Sequence, residues 1–277
     1  MTDFDQFLQR LVAQDAVLVT VQSHRGSVPR EAGAWMSVFA DHVVGTVGGG
    51  HVEWQAQQEA RRMLQVAGPA QLRRYLLGPA LGQCCGGEMH LRYEHVSALD
   101  LPVLRQRQQE QTAAWPLVVL FGGGHVGRAL MAVLQTLPLR LQWIDSREEI
   151  FPSDVSSRVV CEHSQPVHAA VSSLPPGAHV LIMSFSHAED LDVVVACLQR
   201  QRERADVPFI GLIGSRTKWA TFRHRLLTRG FSEAELARVT CPIGVSGIVG
   251  KEPEVIAVAV AAQLLQVVHR VASAHND

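Results

Sequence analysis

The sequence predicts an α/β protein, with a C-terminal domain on a Rossmann-like parallel sheet and a smaller N-terminal α/β domain before it. Three observations predict this. From residue 116 onward, short apolar runs alternate with helical patterns, which is the signature of a parallel sheet with right-handed crossovers. A G-x-G-x-x-G motif (Gly122, Gly124, Gly127) directly follows the first apolar run. Residues 1–98 have a different texture, with short strands, glycine-rich loops and one clear helix.

Taken in order, Phe4, Phe7, Leu8, Leu11 and Val12 follow helical spacing. Good helix formers predict a helix over 52–65. Residues 99–115 are polar, with a Gln/Arg run at 105–111, and are expected to be a linker with helical potential. The C-terminal domain, 116–277, opens with the strand 117–121, a continuous apolar run typical of a strand buried on both faces. A helix to about residue 134 and a strand at 139–144 follow. A weak strand is centred on Val159 and Val160, and another strand spans 179–183. The pattern continues with a helix over 189–200, a strand at 209–213 and a helix over 217–228. The apolar stretch 255–265 contains Gln263 and is too short to span a bilayer, so it is expected to be a buried helix.

The 277 residues suit two modest domains or one large one. A formal net charge of −1 offers no field for nucleic acid or an anionic membrane, so neither is an expected partner. Arg216, Lys218, Arg223 and Arg225 alternate with apolar residues and read as a solvated helix face. Five cysteines and an N-terminus without a basic-then-apolar leader point to a reducing compartment, the cytoplasm, and to no disulfide framework.

The glycine motif has the context that a dinucleotide-type loop needs. Gly122 permits the tight turn, Gly124 lets a phosphate approach the backbone, and Gly127 lets helix and strand pack closely. The helix N-terminus then offers free N–H groups to an anion. Asp145, at the end of the next strand, stands where a ribose-binding acid belongs. A nucleotide or phosphate is the expected ligand here, the alternative being a Rossmann fold whose ligand site is vacant or altered. Gly214 and Ser215 follow the strand at 209–213 and either touch a phosphate or cap the next helix. Residues 247–251 do not make a P-loop, because the spacing is absent and Glu252 stands where Ser or Thr is needed.

In the N-terminal domain, Cys84 and Cys85 precede Gly86 and Gly87. Adjacent thiols in a glycine-rich loop suit soft metals such as molybdenum, and sulfur chemistry including persulfide formation. Glycine amides beside them suit an anionic ligand. No second cysteine pair completes a zinc set. Two more loops carry candidate ligands: Arg30 within GSVPREAG (26–33), and Gly49, Gly50 and His51 within GGGHVE (48–53). Glu53 falls in the first helical turn, where a carboxylate suits the dipole. The pentapeptide GGGHV occurs at 48–52 and again at 122–126, each time after an apolar run and before a helix. Cys161 and Cys197 are expected in the core, and Cys241 precedes Pro242. No Ser/His/Asp or HExxH pattern assigns hydrolysis.

These stretches resemble the XdhC/CoxI accessory proteins, and their XdhC branch in particular. The blocks are GSVPREAGAWM (26–36), GTVGGGHVE (45–53), LGPALGQCCGGEM (77–89), VVLFGGGHVGRAL (118–130), FIGLIGSRTKWATFRHRL (209–226) and CPIGVSGIVGKEPEVIAVAVAAQLL (241–265). The resemblance implies an XdhC/CoxI domain at 1–98 and a chaperone that binds the molybdenum cofactor, protects it, supports its sulfuration and inserts it into apo xanthine dehydrogenase. It also implies a homodimer, a cysteine desulfurase as second partner, and no catalysis by this chain. Two departures stand out. Family members carry M-T-H-x-H where this chain has Met183, Ser184, Phe185, Ser186 and His187, and His51 stands where CoxI-type relatives carry Cys. The competing readings are an NAD(P)-dependent oxidoreductase, resting on the glycine motif and Asp145, and a thiol-based sensor resting on Cys84 and Cys85.

Overall fold

Thr2 and Asp5 form a capping box at the start of the first helix, α1 (Asp3–Leu11), which buries Phe7 and Leu11. The structure is a computed structural model that describes residues 2–66, 68–77 and 87–274, the last five by backbone alone. It divides into two units, one up to Gln109 and one from Glu110.

The N-terminal unit is built on an antiparallel sheet in the order β3-β2-β1-β5-β4. Its strands are β1 (Ala16–Arg25), β2 (Trp35–Val38), β3 (Val43–Gly45), β4 (Gln71–Leu76) and β5 (Glu88–Val96). The central strand β1 shows how both faces are covered. Val17, Val19 and Val21 face one cluster, packed under Val52, Ala56 and Ala60 of helix α2 (Gly50–Met63). Ala16 and Leu18 point the other way, into a cluster with Phe7 and Leu11 of α1. Much of the expected linker is helix α3 (Leu101–Ala113), because Gln, Arg and Leu are good helix formers and Ser97 with Asp100 caps the preceding short turn.

The C-terminal unit carries a parallel sheet in the order β11-β10-β9-β6-β7-β8. Its strands are β6 (Leu117–Phe121), β7 (Arg140–Asp145), β8 (Val159–His163), β9 (His179–Ile182), β10 (Phe209–Leu212) and β11 (Val239–Thr240). Counted within the unit, the order is 3-2-1-4-5-6, that of dinucleotide-binding sheets. The helices are α4 (His125–Leu134), α5 (His187–Arg204), α6 (Arg216–Thr228), α7 (Glu233–Leu236) and α8 (Pro253–Ala274). Leu191, Val194 and Leu198 of α5 cover one face. Leu130 and Leu134 of α4 cover the other, together with Val260 and Leu264 of α8. Burial of each such leucine stabilises by about 2 kcal/mol. Covered on both sides, β6 is buried at every residue.

Between β7 and β9 the chain crosses by short 3-10 turns at Glu148–Ile150 and Val167–Ser173, since PSDVSS (152–157) favours turns. Two expectations need correction. Cys161 is exposed, because β8 is an edge strand, whereas Cys197 is buried and its thiol is pushed up to about 12 by desolvation. Lys218 is not on a solvated face: its side chain is 10% exposed and pairs with Asp190. Among the described residues, no helix is long and apolar enough to cross a membrane.

Candidate functional site

The glycine motif lies at the carboxyl end of β6, where the strand order reverses and such sheets take their ligands. Gly122 has φ +119°, and a Cβ there would lie 1.9 Å from Met183 O, so the loop after β9 rests on this residue. Beneath the turn, the indole Nε1 of buried Trp143 donates to Gly122 O at 2.9 Å. Gly124 caps α4 with no side-chain hydrogen bond and with open space on its Cβ side. Gly127 packs against Gly122 O, as close helix–strand packing requires. Gly124 and His125 are thus the exposed part of this loop, and the first amides of α4 suit an anion there.

Asp145 is bonded within the protein. It is 1% exposed and its oxygens are occupied. Oδ2 accepts from Gly123 N at 2.6 Å and Arg147 Nη2 at 2.9 Å, and Oδ1 accepts from Arg147 N and Nε, both at 2.9 Å. Burial alone would push this carboxyl up, but the bonds from Arg147 and Gly123 outweigh it and hold the pKa below the usual value. The acid is at the expected strand end, but Arg147, two residues on, takes it up.

The loop after β10 also resolves toward structure. Ser215 Oγ accepts from Lys218 N at 3.1 Å and caps α6. A Cβ on Gly214 would meet Lys218 Cδ at 2.8 Å, because the lysine stem folds back over it. Lys218 Nζ then reaches Asp190 Oδ2 at 2.6 Å and Ile213 O at 2.8 Å. Asp190 Oδ1 takes Ser184 N at 2.7 Å, so this pair ties the loops after β9 and β10 together. Cys241 lies beside them, its thiol pushed up to about 11 by burial.

In the N-terminal unit the structure brings two predicted loops together and adds the end of a third. Gly48 sits against the Pro29 ring and the Arg30 stem. Gly87 sits against the carbonyls of Arg25 and Ser27, and its own carbonyl takes Leu77 N at 2.8 Å. Arg30, Gly50 and His51 are exposed at this corner, and Gly49 is half-buried with open space on its Cβ side. Cys84, Cys85 and Gly86 lie outside the described residues. Among the described residues, no group of three or more His, Cys, Asp or Glu is placed to hold a metal ion.

Two contributions go beyond what residue type and spacing give. Glu53, expected to suit the helix dipole, also folds back: its Oε2 accepts from Thr46 Oγ1 at 2.5 Å and from Val47 N and Gly49 N, both at 3.0 Å. Its carboxylate therefore fixes the turn that presents Gly49 and Gly50. Trp54, 56% exposed, stands 5.6 Å from the His51 ring, centroid to centroid. The E-after-GGGHV spacing was the available signal for Glu53; an exposed tryptophan has none in a single sequence.

Residues 118–264 match the family described as the XdhC Rossmann domain. The chain belongs to the XdhC/CoxI family. Residues 12–75 match the family described as XdhC and CoxI, which places that domain in the N-terminal unit. The chain is 28% identical over 255 residues to protein YqeB of Escherichia coli (strain K12), covering 90% of this chain and 43% of YqeB. It thus spans less than half the length of that relative. A crystal structure described as a xanthine dehydrogenase from Bacillus halodurans shares the fold, with a TM-score of 0.76 and 19% identity, and coverage of 98% of this chain and 96% of that one.

Proposed function

We propose that this chain is an accessory protein of a xanthine-dehydrogenase-like enzyme: it binds molybdenum cofactor as cargo, protects it during sulfuration and passes it to the apoenzyme. The observation that carries this reading is the meeting of Arg30, Gly48 and Gly87 with their loops at one corner of the XdhC/CoxI unit. Exposed arginine and glycine amides suit the phosphate end of such a cargo. Cys84 and Cys85, joined to Gly87 through Gly86 in the sequence, supply soft sulfur for its metal. The expected partners are apo xanthine dehydrogenase, a cysteine desulfurase and a second copy of this chain. The oxidoreductase alternative has less support, since Asp145 is held by Gly123 and Arg147.

The test is a titration of cofactor-loaded protein into apo xanthine dehydrogenase, with free cofactor under air as the comparison. Activation should track cofactor delivered, approaching one enzyme site per cofactor, without NAD. Equal activation by free cofactor, or activation of a large excess of apoenzyme by traces of this protein, would overturn the proposal. Cys84→Ala and Cys85→Ala should reduce cofactor retention and shift Tm by no more than about 1–2 °C. Unchanged cofactor content in both variants and in the double variant would remove the thiols from the site.

A further inference from the structure

β6 lies between β7 and β9, so the loops leaving β7 and β9 begin on opposite sides of the Gly122–Gly124 turn. With neighbouring strands about 4.8 Å apart, these loops start roughly 10 Å from each other. They nevertheless meet. Ser146 Oγ, after β7, donates to Glu189 Oε1, after β9, at 2.8 Å. The Arg147 guanidinium lies over the Phe185 ring, 4.6 Å from its centroid. Glu189 also fixes Phe185 through its backbone, since Oε2 accepts from Phe185 N at 3.2 Å. On the β7 side, Ile150 packs on Gly123, and its carbonyl accepts from Arg128 Nη2 at 2.9 Å.

We propose that Ser146 and Arg147 with Phe185 and Glu189 form a strap across the switch-point crevice, and that the closed strap and a dinucleotide compete for the same space. A dinucleotide bound across this crevice lays its pyrophosphate on the glycine turn and its ribose diol on the acid at the end of the second strand. Here that acid is Asp145, and Arg147 occupies both of its oxygens. The same arginine is the strap's contact with Phe185. Opening the strap at Arg147 therefore clears the crevice and frees the acid in one movement. Ligand occupancy and the position of the loop after β9 are coupled in this arrangement. The coupling is a property of the C-terminal unit and does not depend on which cargo the N-terminal corner holds.

Calorimetric titration with NAD tests this on the full chain. The wild type should bind no tighter than about 1 mM. Arg147→Ala/Glu189→Ala, with folding checked by circular dichroism, should bind at least about tenfold more tightly. Phe185→Ala removes only a ring that is 65% exposed, and should give a smaller gain with the fold intact. It decides the matter should the double variant not fold. Wild-type binding near 10 µM, or no gain in any folded strap variant, overturns the proposal.

Discussion

The pentapeptide GGGHV occurs once in each unit and adopts two different backbones. In the N-terminal unit all three glycines, Gly48, Gly49 and Gly50, have positive φ. In the C-terminal unit only the first, Gly122, does, and Gly124 is extended as the cap of α4. Five identical letters therefore do not specify the loop; its supports do. Glu53, four residues past the N-terminal cap, folds back onto Val47 and Gly49. Asp145, from another strand, takes Gly123, while Met183 O presses on Gly122 from a third. One loop is fixed locally and the other by the sheet, and the two should respond differently to the same substitutions.

Substitution of a glycine by alanine gives the largest contrast. Gly122→Ala drives a methyl group into Met183 O and should destabilise by at least about 3 kcal/mol in urea unfolding. Gly49→Ala meets open space at φ +74° and should cost only about 1 kcal/mol. Similar costs at both positions would erase the distinction between the loops.

The two carboxylates sharpen it. Asp145→Asn leaves Arg147 without its counter-charge and should cost about 2–4 kcal/mol at pH 7. The folded carboxyl titrates below its unfolded value of about 3.9. Its stabilisation is therefore complete above that value and is lost as pH falls through the lower folded value. Unfolding followed from pH 7 to pH 2 should show the asparagine variant with a flatter acid limb than the wild type. Parallel curves would mean that Asp145 does not govern acid stability. Glu53→Gln keeps the shape but weakens three acceptor bonds, and should cost about 1–2 kcal/mol. Its effect should concentrate on cofactor retention, read as molybdenum per protein after gel filtration. The smallest stability change belongs to Trp54→Ala, within about 0.5 kcal/mol, and a larger one would place that ring in the packing.

The periodicity of the sequence carried much of this fold. Leu117–Phe121 is apolar at every position because it is covered on both faces, and a continuous run is how such a strand reads. Alternation in β1 was harder to see, since both its faces are apolar. β11 is two residues long and leaves no pattern. The polar stretch around residue 105 looked like a linker because α3 buries only Leu104 among its side chains. At the sites, glycines and acids were legible by spacing, but their partners were not. Arg147 claims Asp145, and Lys218 folds over Gly214 toward Asp190, 28 residues away in the chain. Such pairings depend on which loops the sheet brings together, which spacing along one chain does not encode.

The hydrogen bond from Trp143 Nε1 to Gly122 O makes the glycine turn optically visible. That indole is buried and touches the Phe151 ring edge-on at 5.3 Å. Its emission wavelength depends on whether the Gly122 carbonyl stays in line with the ring N–H. With the other four tryptophans (Trp35, Trp54, Trp115 and Trp219) changed to phenylalanine, the protein becomes its own unlabelled sensor. Any ligand that lifts the turn would announce itself as a spectral shift, and a stopped-flow record of that shift would give the rate at which the turn moves.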